Sequence, residues 1–388
     1  MAENNFQTRS VTTISIAHLL HDTFSAFLAP LLPLLIEKLG ISYTLAGSLS
    51  VINRVPMLLN PFLGMLADKI HMRFLVIFTP MVTAITASLL GAAPSFTFLA
   101  LLIFVMGLSA ALFHVPSPVM IRKVSGSYVG RGMSFYMFGG EVARTIGPLV
   151  ILGAVSAWGL ENTWYLIPVS VGFTIYLYYA LKDIKISEEF QTKHVEHNVG
   201  ITLRKYKNFL FMLSGLLAFT ALLKSAITAF LPTYLTNQGQ SVWYGGIALV
   251  VLEAAGAAGT LLAGTLSDRI GRKTTLVVAS VLSPLAFWLF IHASTAMQFP
   301  MLILLGFFLF AGGPVLLAMV QDLGSERPAF INSIYMTISF FFGSVAVIVT
   351  GFFGDTIGLF ATYEFIAATS LLAIPFAVLI FRFTKNKV

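Results

Sequence analysis

The sequence predicts an all-α integral membrane protein, about twelve transmembrane helices in two six-helix bundles with both termini cytoplasmic. Three observations predict it: an apolar composition, a series of long apolar runs, and a motif that recurs in the second half. Of 388 residues, 57% are hydrophobic and 10% charged, against about 25% charged in a soluble protein. Such a chain cannot cover its own surface in water, which excludes a soluble two-domain enzyme. With Cys at 0, disulfides, thiolate nucleophiles and thiolate metal sites are excluded as well. The 35 Phe and 31 Gly suit lipid-facing bulk combined with close helix contacts.

Each crossing of roughly 30 Å of hydrocarbon needs about 20 residues of helix. Apolar runs of that length start near Thr13, Tyr43, Phe74, Phe96, Gly132, Asn162, Asn208, Trp243, Thr274, Phe299, Ala329 and Leu359. They are too long, and alternate too little, for the strands of a membrane barrel. Lys and Arg set the orientation. With the N-terminus inside, Lys69, Arg73, Arg122, Lys123, Arg131, Arg269, Arg272, Lys273 and Arg327 fall in cytoplasmic loops, and the middle connection adds Lys182, Lys185, Lys193, Arg204, Lys205 and Lys207. The opposite loops (40–44, 92–95, 159–162, 237–241, 294–298 and 354–358) contain neither residue. The net charge of +7 is thereby explained as topology, and no nucleic-acid partner is expected. Met1–Ser10 is polar and no short apolar core with a cleavage site follows it, so no removable signal peptide is expected.

The charged stretch around 182–207 divides the chain into an N-terminal bundle over 1–181, a cytoplasmic linker, and a C-terminal bundle over 208–388. On both sides a related motif stands: Gly64-Met-Leu-Ala-Asp68-Lys-Ile-His-Met-Arg73 after the second run and Gly264-Thr-Leu-Ser-Asp268-Arg269-Ile-Gly-Arg272-Lys273 after the eighth. Pro33 near the end of run one is matched by Pro232 near the end of run seven. A repeat at this distance indicates a duplicated bundle with a cavity between its halves.

The G-x-L-[AS]-D-[KR]-x-G-[RK]-[RK] pattern between runs two and three resembles the signature of the major facilitator superfamily. The second copy is nearly complete; the first has His71 and Met72 where a Gly and a basic residue usually stand. More narrowly, His18-Leu-Leu-His21-Asp22, Phe113-His114, Phe138-Gly139-Gly140 before Gly147-Pro148-Leu149, and Gln321-Asp322-Leu323 are similar to the fosmidomycin-resistance branch of drug exporters. His114-Val115-Pro116 departs from that branch's His-Pro pair. The resemblance implies a multi-pass protein of the bacterial inner membrane, without cofactor and energised by the proton gradient.

Asp68 and Asp268 sit where a helix enters the cytoplasm. Carboxylates there accept hydrogen bonds from a neighbouring helix N-terminus and pair with Arg73, Arg269 or Arg272, a contact suited to gating. The bland alternative is a set of solvated loop charges that fix topology. Pro148 removes a backbone hydrogen bond in the fifth run and kinks the helix, while Ala143 and Gly147 offer a small face for close packing. In the family a Gly-Pro here is associated with antiporters.

Charges inside the runs are the sharper signal, since each costs roughly 2.5–3.5 kcal/mol on insertion scales. His18, His21 and Asp22 share one helix face and join two groups that titrate near neutral pH to an acid, the make-up of a proton site. Glu141, three residues before Arg144, is a further proton-coupling candidate or half of a structural ion pair with it. Arg54, His114, Arg144, Lys224 and Glu253 are candidate substrate-binding residues. Arg54 and Lys224 suit an anionic group, with Lys224–Glu253 as a structural pair in the alternative. No metal is expected, because the His and Asp ligands stand on one helix and no ligand from another can be named.

These residues point to a proton-coupled secondary transporter of a small amphiphilic or anionic compound, working by alternating access as an exporter. Import of an organic anion by proton symport is the alternative. A membrane-embedded enzyme is disfavoured: no G-x-S-x-G elbow, H-E-x-x-H motif or Walker loop occurs. The expected partners are the substrate and the lipid bilayer, with a monomer as the default.

Overall fold

Proline positions decide where the apolar runs break. In the computed structural model, which describes residues 6–59, 72–126, 129–182, 199–321, 323 and 328–383, the first run is two helices, α1 (Thr8–Ser25) and α2 (Leu28–Leu39). Pro30 cannot donate to the carbonyl of Ala26, and its ring crowds that carbonyl, so the chain turns at Ala26–Phe27. Pro33 lies inside α2, which stops at Gly40 in the left-handed region (φ 59°) that a glycine adopts without strain. The next helix, α3 (Tyr43–Arg54), gives way to a 3-10 helix at Val55–Leu59, where Pro56 has no N–H to continue the α-helical ladder.

The first half continues with α4 (Met72–Ser88), α5 (Phe96–His114), α6 (Pro116–Val124), α7 (Val129–Trp158) and α8 (Ile167–Leu181). Ser95 caps α5 by accepting from the Phe98 N–H. That helix ends at His114 because Pro116 follows two residues later and opens α6 at its first turn. The second half holds α9 (Val199–Asn237), α10 (Val242–Ile270), α11 (Arg272–Ile291), α12 (Thr295–Gln321), α13 (Pro328–Ile357), α14 (Leu359–Ser370) and α15 (Ala373–Leu379).

Eleven helical stretches among the described residues are long and apolar enough to cross a membrane. They begin within a few residues of the expected starts; the second expected span opens with α3 and runs into residues outside the description. No strand occurs among the described residues. The broken first, second, fourth and twelfth runs are departures from expectation, and a proline stands at or just after each break: Pro30, Pro56, Pro116 and Pro375.

Packing divides the chain into two compact units. Unit 1 takes Met1–Ile41, Leu49–Thr192 and Leu235–Val250; unit 2 takes Ser42–Ser48, Lys193–Tyr234 and Val251–Val388. Each has its own apolar core. Val11, Ile14, Ile77, Phe113, Ile121 and Leu177 anchor that of unit 1; Phe209, Leu213, Leu276, Val315, Met319 and Ile331 anchor that of unit 2. Within unit 2, Asp355 near the end of α13 accepts from the Tyr43 N–H at 2.7 Å, the Thr44 N–H at 2.8 Å and the Thr44 hydroxyl at 2.5 Å. It thereby satisfies two orphan donors at the start of α3.

A glycine seam holds α7 against α1 in unit 1. A Cβ at Gly139 would lie 2.6 Å from the Ser15 carbonyl, one at Gly140 2.6 Å from His18 Cε1, and one at Gly147 2.8 Å from the Thr23 carbonyl. Only glycine permits this approach. The helix stays continuous through Pro148.

Candidate functional site

A single turn of α1 places His18, His21 and Asp22 on the face that α4, α5 and α7 cover. His21 is fully buried, His18 7% exposed. His18 Nε2 lies 3.2 Å from Asp22 Oδ2 and His21 Nδ1 2.9 Å from Asp22 Oδ1. The end of α5 brings in His114, whose Nε2 lies 3.4 Å from Asp22 Oδ1. One carboxylate thus meets three imidazoles from two helices, with no Lys or Arg paired to it among the described residues.

Each ring is held from behind. His18 Nδ1–H donates to the Tyr136 backbone carbonyl at 2.8 Å, and the two rings stack at 4.0 Å with 15° between planes. His21 stacks on Phe113 at 4.6 Å and 7°, while its Nε2 contacts Thr83 Oγ1 on α4 at 3.0 Å. Thr83 is in turn 2.9 Å from Ser109 Oγ, which donates to the Thr79 carbonyl at 2.8 Å. His114 Nδ1 is 3.4 Å from the Tyr136 hydroxyl, itself 2.6 Å from Ser117 Oγ on α6. Aromatic faces and hydrogen-bond partners at the far nitrogen hold each ring in a fixed orientation.

His114 was expected as a substrate contact and instead joins the Asp22 cluster. Its arrival also removes the ground on which a metal was set aside: His18, Asp22 and His114 offer ligand atoms within 4.8 Å of one another from two helices, not one. In the structure the Asp22 charge is met by imidazoles.

The other candidates lie apart from this cluster. Glu141 on α7 forms an ion pair with Arg144 one turn on, the expected neutralising pair. Arg54, half-buried, ends α3. In unit 2, Lys224 on α9 is exposed, its Nζ 4.1 Å from the Phe310 ring centre, and Glu253 on α10 is buried. Of the gating candidates, Arg73 at the start of α4 lies over Phe74 at 5.0 Å. Arg269 ends α10 and Arg272 starts α11, with Gly271 between them at φ 90°. Asp68, Lys69 and the Asp268 side chain lie outside the described residues, as do the side chains of Gln321 and Asp322.

Sequence reasoning did not find Tyr136, Thr83, Ser109 or Ser117. Tyr136 was within reach, one turn before Gly140 on α7; the hydroxyls carry no pattern that separates them from ordinary Ser and Thr of membrane helices.

A helical membrane bundle of this layout, with polar groups buried inside its spans, matches the Major Facilitator Superfamily model over residues 14–347 and 246–387. The chain belongs to the major facilitator superfamily. It is 24% identical over 372 residues to the fosmidomycin resistance protein of Escherichia coli K12, covering 92% of this chain and 89% of that one. It is also 24% identical to the multi-drug resistance efflux pump PmrA of Streptococcus pneumoniae, over 70% of each chain. Among solved structures, the occupied, inward-facing form of a bacterial homologue of the human lysosomal transporter Spinster superposes with a TM-score of 0.80 at 15% identity, covering 99% of both chains. A D-xylose-proton symporter gives 0.74 at 13% identity, covering 98% of both. These two likenesses concern the fold. The protein is a multi-pass membrane transporter of this family.

Proposed function

We propose that this transporter exports a small amphiphilic or anionic compound across the cytoplasmic membrane in exchange for protons. The observation that carries the reading is the half-buried Asp22, whose charge-pair partners among the described residues are the imidazoles of His18, His21 and His114. Coupling requires a group whose proton affinity changes with the direction the cavity faces. A carboxylate paired only with imidazoles meets that requirement, whereas one paired with Arg would stay ionised. Arg54 and Lys224 serve as cationic contacts for the substrate. Residues 1–181 and 208–388 act as the two rocking bundles around the 182–207 linker, both termini cytoplasmic, with Asp68 and Asp268 gating the cytoplasmic side. The names of the relatives, a fosmidomycin resistance protein and a multi-drug efflux pump, support export, and fosmidomycin, a phosphonate, supplies an anionic probe.

The test is fosmidomycin susceptibility of an efflux-deficient host expressing the protein, with and without a protonophore. Export raises the inhibitory concentration and the protonophore abolishes the gain. Increased susceptibility would replace the reading with proton symport into the cell. No change with fosmidomycin or with a panel of carboxylate and phosphonate drugs would sink the anion-export reading.

A further inference from the structure

We propose that His18 Nε2, the Asp22 carboxylate and His114 Nε2 form a binding site for a divalent transition-metal ion of the zinc, nickel or cobalt type. This goes beyond the proton-exchange reading, because it gives the cluster a second kind of cation. The ligand atoms lie within 4.8 Å of one another and come from two helices. His18 Nε2 is 3.2 Å from Asp22 Oδ2, and His114 Nε2 is 3.4 Å from Asp22 Oδ1. Ligands held tetrahedrally at about 2.0–2.1 Å from a metal stand ~3.3–3.4 Å from each other. Both contacts are already close to the spacing of neighbours in one coordination sphere. Two imidazoles with a carboxylate suit zinc, nickel or cobalt, whereas Mg2+ and Ca2+ favour oxygen ligands alone.

The surrounding hydrogens point away from this site. A backbone carbonyl only accepts, so the 2.8 Å contact with Tyr136 O places a hydrogen on His18 Nδ1, and the neutral ring turns a bare Nε2 toward Asp22. An outward N–H given to a carbonyl is the support that metal-ligating imidazoles use. His114 is backed at Nδ1 by the Tyr136 hydroxyl at 3.4 Å, itself braced by Ser117 at 2.6 Å. Beside the trio, His21 is fixed in the same sense by a longer chain. The single hydrogen of Ser109 goes to the Thr79 carbonyl and that of Thr83 to Ser109, so Thr83 accepts from His21 Nε2. Neutral His21 therefore turns Nδ1 toward Asp22 Oδ1 at 2.9 Å. Lone pairs converge on this spot, with no Lys or Arg paired to Asp22 among the described residues. A proton relieves one such contact; a divalent ion relieves several at once. The His114 side chain is 35% exposed, which leaves an entry path and a coordination position for water. By contrast, His292 at the end of α11 pairs with Glu364 at 3.3 Å and gains no third ligand among the described residues.

Titration of the full-length protein, without a polyhistidine tag and in lipid nanodiscs, with Co2+ and then Zn2+ tests this without a substrate. Wild type should take up one Co2+ per chain, seen as visible absorption far stronger than that of the aqueous ion. Zn2+ should displace it and excess Mg2+ should not. His18→Gln and His114→Gln should each weaken Zn2+ binding by about a hundredfold or more, beyond the roughly 10–100-fold cost of losing an outer partner. His292→Gln should bind as wild type does. X-ray absorption of the Zn2+-loaded wild type needs no variant and should show imidazole and oxygen neighbours at about 2.0–2.2 Å. No saturable uptake, uptake that survives both His18→Gln and His114→Gln, or a shell without imidazole overturns the site. Fosmidomycin flux in metal-free proteoliposomes decides the transport reading separately. Flux indifferent to an imposed pH gradient sinks proton coupling and leaves the ion site standing, whereas pH-driven flux in a protein that takes up no Co2+ or Zn2+ does the reverse.

Discussion

The first helix of unit 1 and the first long helix of unit 2 solve the same problem differently. Both put polar groups into an apolar layer, where a lone charge costs roughly 2.5–3.5 kcal/mol. On α1 the groups are titratable, clustered and covered: Asp22 meets His18, His21 and His114 within 3.4 Å. On α9 the group is the permanent cation Lys224, left exposed over the Phe310 ring at 4.1 Å. A covered cluster of weak acids and bases can change its net charge at modest pH; an ammonium on an aromatic face cannot, but it can be offered to an anion. In the proposed function, α1 carries the proton and α9 meets the substrate.

The comparison breaks most sharply at Asp22. Asp22→Asn should reduce pH-gradient-driven fosmidomycin flux by roughly a hundredfold or more, the scale of a lost proton-transfer group, while binding measured by tryptophan fluorescence persists. Equal gradient response in variant and wild type would take Asp22 out of the mechanism. On α9, Lys224→Gln should weaken anionic substrates by about tenfold, the loss of one charge-assisted contact, and leave neutral ones unaffected. If Lys224 and Glu253 instead form a structural pair, Lys224→Gln lowers thermostability and Glu253→Gln restores it, because an unpaired buried charge is removed.

Next in size come the seam variants. Gly140→Ala and Gly147→Ala should each lower stability by about 1–3 kcal/mol through overpacking, seen as a lower melting temperature in detergent. Only Gly140→Ala should also change the His18 ring spectrum, since its Cβ meets His18 whereas that of Gly147 meets Thr23. A smaller effect is expected for Thr83→Val, which removes the contacts with His21 Nε2 and with Ser109 at about 1 kcal/mol for each hydrogen bond, read as a lower melting temperature.

Much of this architecture was legible because membrane spans are written in length and apolarity, and the runs begin close to where the helices do. The breaks at Ala26–Phe27 and after His114 were less legible, although Pro30 and Pro116 announce them, because a hydropathy reading averages over single residues. The shared face of His18, His21 and Asp22 followed from helical spacing alone. His114 could be singled out as a polar residue of the fourth run but not placed against Asp22, since contact between helices depends on their rotation and approach. The partner that distinguishes His18 is a backbone carbonyl of Tyr136, an atom every residue possesses and no sequence marks. The Thr83–Ser109 chain is hidden for the related reason that hydroxyls in membrane helices usually bond to their own backbone, as Thr79 does to the Leu75 carbonyl.

The seam of Gly139, Gly140 and Gly147 has a genetic consequence. Every missense change at a glycine codon adds a side chain, so none of these positions has a conservative mutational neighbour. In a saturation library scored for resistance, the three sites should appear as columns intolerant of every substitution, alanine included. The exposed apolar positions of α8, such as Val169, Ile175 and Tyr179, should accept most apolar exchanges. The helix contact beside His18 and Asp22 is therefore the part of the gene with the least freedom to drift, and transport lost through it should be regained by second-site changes that shrink α1 residues facing the seam.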